Sequence, residues 1–78
     1  MKYQEYLNQP ETMERFNVKF NELKDYFHKR FEQFGVTKEQ NDLLSTKVAL
    51  LDADYIFTEQ FNNENHENGE AKTGLNNN

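Results

Sequence analysis

Between Met13 and Phe34 the chain reads MERFNVKFNELKDYFHKRFEQF, with apolar residues at Met13, Phe16, Phe20, Leu23, Phe27, Phe31 and Phe34. Steps of three and four residues place them on one face of a helix, in a stripe close to a heptad seam. The pattern predicts a helix over residues 10–34 with this stripe as the core of the protein. Pro10 is tolerated at a first helical position, where its missing N–H would have no intrahelical partner, and Asn8 or Gln9 stands at the cap. Glu11 and Glu14 suit the positive end of the helix dipole, and Lys29 and Arg30 the negative end. Gly35 follows where a left-handed residue ends many helices. Glu11–Arg15 and Asp25–Lys29 are acid-before-base pairs one turn apart.

Beyond Gly35-Val36, the run Thr37-Lys38-Glu39-Gln40 has the form of a capping box and opens a second predicted helix over residues 38–61. Its apolar residues make two stripes. Leu43, Leu50, Phe57 and Phe61 form one, Leu44, Val48, Leu51 and Tyr55 the other, and Lys47, Asp54 and Thr58 run between them. The short connection turns the second helix back beside the first, so one stripe is expected to cover Met13 to Phe34. The other is left over. It needs the N-terminal segment, a second copy of the chain or a different protein.

Residues 1–9 carry Tyr3, Tyr6 and Leu7 at amphipathic spacing, which predicts a short helix ordered only by docking, its tyrosines over the start of the phenylalanine stripe. Residues 62–78 are dominated by Asn, Glu and Gly, with Leu75 the one large apolar side chain. Such a segment buries too little to offset the entropy of ordering, and a disordered tail is expected. The predicted fold is therefore all-α: an antiparallel two-helix hairpin with a short N-terminal helix, dimerising into a helical bundle.

Composition strengthens the case for association. With 78 residues and no cysteine, the chain has a small core and no disulfide to staple it, a situation often met by oligomerisation. The net charge is −5, and the acidic excess lies beyond residue 35, which disfavours phosphate binding through the second helix. No apolar run approaches the roughly 20 residues of a membrane span, and MKYQEYLNQ lacks the apolar core of a secretory signal. A cytoplasmic setting is expected. The Asn- and Lys-rich, cysteine-free composition resembles that of phage or mobile-element proteins, which would place it in a host cytoplasm or a virion.

The candidate chemistry is sparse. His28 lies off the apolar stripe beside Lys24, and His66 falls in the tail, so both are expected to be solvated. There is no Gly-rich phosphate loop, nucleophile elbow or metal-spaced ligand set, and no catalytic, cofactor or metal residue is assigned. The turn Phe34-Gly35-Val36-Thr37 resembles that of helix-turn-helix DNA-binding proteins, and Lys38, Gln40, Asn41 and Lys47 are suitable reading residues. Five acids share the same helix, however, and DNA binding ranks low. The leading expectation is a non-catalytic protein–protein module, self-associating in a structural or assembly-accessory role. Its interface would comprise Leu44, Val48, Leu51 and Tyr55, with Lys47 and Asp54 pairing across an antiparallel second copy. The alternative is a small acidic inhibitor that lays a helix on a larger host enzyme.

Overall fold

A computed structural model describes the backbone of residues 1–69 and the side chains of residues 1–64. It contains α1 (Tyr3–Leu7), α2 (Pro10–Glu32) and α3 (Lys38–Gly69), with no strand among the described residues. The two long helices pack antiparallel, and α1 touches both. The all-α hairpin with its short N-terminal helix is thus the observed architecture.

Local chemistry sets most element ends. Gln9 is the extended cap of α2 and Pro10 its first residue, while the Met13 N–H donates to the Gln9 carbonyl at 2.8 Å. The helix ends at Glu32, two residues before the predicted limit. Its last carbonyls are taken by tightened bonds from Gln33 to Arg30 at 3.2 Å and from Phe34 to Phe31 at 3.0 Å. Gly35 follows at φ +77°, the left-handed conformation that stops the helix. A Cβ added at Gly35 would meet nothing within 4 Å, so Gly35→Ala isolates the backbone cost of that conformation, about 1–2 kcal/mol. A drop of several degrees in melting temperature is expected, read by circular dichroism. The capping box is present in full: Gln40 N–H donates to Thr37 Oγ1 at 3.1 Å, and Thr37 N–H to Gln40 Oε1 at 3.2 Å.

α3 runs eight residues past the predicted end at Phe61, through Gly69. Residues 62–69, read from sequence as tail, continue the helix; residues 70–78 lie outside the described residues. Once a helix is nucleated, each further residue adds a backbone hydrogen bond at little extra cost, so a polar continuation needs no packing of its own.

The packing between α2 and α3 departs from expectation. Among the described residues of α3 the buried ones are Asn41, Ser45, Ala49, Ala53 and Phe57, one row at steps of four. On α2 the matching row is Thr12, buried, then Phe16, Phe20, Lys24 and His28, half-buried. Rows at i, i+4 on both helices are the ridges that interlock when helices pack. Neither large apolar stripe of α3 covers α2. A row of small residues lies against it, about a third of a turn from each stripe, and of the eight stripe residues only Phe57 is buried.

Small residues bring the helices close, and the α2 rings then splay along the sides of the contact. Phe16, Phe20, Leu23, Phe27 and Phe31 are half-buried, while Met13 is 45% and Phe34 69% exposed. The seven-residue stripe is therefore not a closed core. Its rings pack along one another instead, Phe27 stacked on Phe31 at 5.9 Å and Phe31 tilted against Phe34 at 6.4 Å between centroids. Phe16 alone makes an edge contact with α3, to Phe57 at 5.2 Å. Asp25–Lys29 forms at 3.2 Å as expected, but Arg15, expected to pair with Glu11, lies over the Phe57 ring at 5.8 Å.

Candidate interaction surface

Polar groups fix how the helices meet. Asn41 is buried, and its Nδ2 donates to the His28 carbonyl across the hairpin at 2.9 Å. Ser45, fully buried, satisfies its hydroxyl within its own helix by donating to the Asn41 carbonyl at 2.7 Å. His28 is not the solvated side chain that its sequence position suggests. Its Nε2 donates to Asp42 Oδ1 at 2.8 Å, and its Nδ1 faces Glu32 Oε2 at 3.8 Å.

The hydrogen bond from His28, aided by Lys38, holds the Asp42 carboxyl below the usual carboxylate range. A folded value below the unfolded one means that this pair supports the hairpin above the ordinary carboxylate range. The support is lost as pH falls through the lowered value.

Ser45, His28 and Asp42 line one shallow cleft of about 230 Å³, which brings the residue types of a nucleophilic triad together. The wiring differs. Both ring nitrogens of His28 face carboxylates, and the Ser45 hydroxyl is committed to a backbone carbonyl, so no base addresses the hydroxyl. Among the described residues no group of three or more acidic or histidine side chains is placed to hold a metal ion. No described helix is long and apolar enough to cross a membrane.

α1 docks on α3. Tyr3 and Tyr6 pack on Phe61 at 5.6 and 5.3 Å between centroids, and the Tyr3 hydroxyl donates to Asp54 Oδ1 at 2.6 Å. The tyrosine pair was expected over the start of the phenylalanine stripe; its aromatic partner is the C-terminal member of a stripe of α3 instead. Burial, followed by the Asp54 contact, pushes the Tyr3 phenol up. Tyr6 is buried, and its hydroxyl has no partner among the described residues.

With α1 on Phe61 and the small row on α2, the remaining side of α3 is open. Leu43 is 57%, Leu44 44%, Leu50 50%, Leu51 71% and Tyr55 63% exposed. Val48 is half-buried at the edge, and Lys47 and Asp54 are exposed among them. All six residues expected at a partner interface (Leu44, Lys47, Val48, Leu51, Asp54 and Tyr55) fall on or beside this face. Leu43 and Leu50, assigned from sequence to the stripe that would cover α2, join them. The open surface is thus wider than one seam. Comparison with protein-family models, with curated proteins and with solved structures finds no match to the chain, so its physical character rests on these residues.

Proposed function

We propose that the protein is a non-catalytic interaction module that self-associates through the outer face of α3, in a structural or assembly-accessory role. The observation that carries this reading is the open face itself: four leucines and a tyrosine on one side of a single helix. Isolated apolar residues at a surface are ordinary, but a contiguous patch of large side chains marks an interaction site. A hairpin whose buried apolar residues, among those described, are Tyr6, Ala49, Ala53 and Phe57 also has a small core of its own and gains from further burial.

Self-association makes folding depend on concentration. The melting temperature is expected to rise as protein concentration rises through the micromolar range, and sedimentation equilibrium to give a mass above that of one chain. A helical chain that sediments as a monomer throughout, with a fixed melting temperature, would sink this reading and leave the face to a larger protein, as an inhibitor would use it.

A further inference from the structure

Resting on that reading, we infer that the occupant of the open face is a second copy of the chain, with its α3 antiparallel and the two-fold axis passing between Leu50 and Leu51. The charges on the face carry the argument. Lys47 lies three residues before Leu50, and Asp54 lies three residues after Leu51. Both are exposed on the same side of α3 as the leucines. Rotation about an axis through the middle of the leucine pair exchanges their positions, so each Lys47 meets an Asp54 of the other copy. The face is complementary to itself, as a two-fold interface requires.

A parallel pairing in register would set Lys47 against Lys47 and Asp54 against Asp54, two like-charge contacts beside an apolar seam. In the antiparallel arrangement the same four groups make two attractive pairs, and Leu50 and Leu51 meet the same residues at the centre. Flanking charges of this kind select partner and orientation more than they add affinity.

Asp54 is prepared for the role. The Tyr3 hydroxyl holds Oδ1 at 2.6 Å, which restrains the carboxylate before a lysine arrives. Its second oxygen makes no hydrogen bond to the described residues. The docking of α1 thus sets the acceptor of the pair while occupying Phe61, which bounds the seam at that end.

The test is charge reversal with rescue, followed by sedimentation. Lys47→Asp should weaken the dimer on the order of tenfold, by replacing two attractive contacts with two repulsive ones, and Asp54→Lys should do likewise. The double variant K47D/D54K restores both pairs in the antiparallel arrangement and should recover most of the affinity. Circular dichroism of each variant shows whether the hairpin is kept. Because the chain has no cysteine, a second readout is available: mixing Lys47→Cys with Asp54→Cys chains under mild oxidation should yield the mixed disulfide, several-fold above the product of either variant alone. A dimer insensitive to Lys47→Asp, or one in which Lys47→Cys alone cross-links best, overturns the antiparallel register and leaves self-association standing. A wild-type chain that stays monomeric removes both.

Discussion

Leu51→Asp is expected to convert the associated protein into a folded monomer. Leu51 is 71% exposed, the most open of the large apolar residues of α3, and it lies outside the small-residue row. The substitution should alter the stability of the single hairpin by no more than about 0.5 kcal/mol, as surface changes usually do. In the two-fold assembly the same change puts two carboxylates near the axis in an apolar surround. Truncating a central apolar anchor costs about 2 kcal/mol or more, near thirtyfold in the dissociation constant, and burying an unpaired charge costs more. Sedimentation should therefore lose the dimer while circular dichroism keeps its helical signal. An unchanged mass would show that Leu51 lies outside the contact.

Ala49→Leu should do the reverse: add a hydrophobic side chain and weaken the fold. Ala49 has no exposed surface and stands in the row on which α2 rests. Three further carbons at that point can be housed only by pushing the helices apart or forcing strained rotamers. Overpacking of this kind costs about 1–3 kcal/mol. A domain this small starts near the lower end of the usual 5–15 kcal/mol, so urea unfolding should show a midpoint well below that of the parent chain. A midpoint equal to or above the parent's would mean that small residues do not set the distance between α2 and α3.

These two variants also mark where sequence and structure part company. The helix starts, Gly35 and the Thr37–Gln40 box were legible because each depends on groups within four residues of one another. The partner of the phenylalanine stripe was not. A search for periodic large apolar residues passes over Ser45, Ala49 and Ala53, which carry little hydropathy yet repeat at steps of four and permit the closest approach of two backbones. Looking for small residues at helical spacing would have found them. The His28–Asp42 and Tyr3–Asp54 bonds depend on how the helices cross, and no local pattern announces them. The outer face of α3 was half legible: its second stripe was read as a partner surface, whereas Leu43 and Leu50 were assigned to the inside because large apolar residues were assumed to do the covering.

Asp42 gains a further meaning from the row of small residues beside it. A contact made of similar small residues repeating every four positions resembles a ruler with identical marks, and α3 could slide along α2 by one turn and find nearly the same fit. The Nδ2 bond from Asn41 to the His28 carbonyl at 2.9 Å has an equivalent backbone acceptor one turn away, but the His28 Nε2 bond to Asp42 Oδ1 at 2.8 Å joins two side chains and occurs at one setting only. A slip of one turn would set Asp42 beside Lys24 or Glu32 and leave His28 without this partner. The bond adds little to overall stability, but it distinguishes one alignment from its neighbours. A row of otherwise interchangeable contacts acquires an origin.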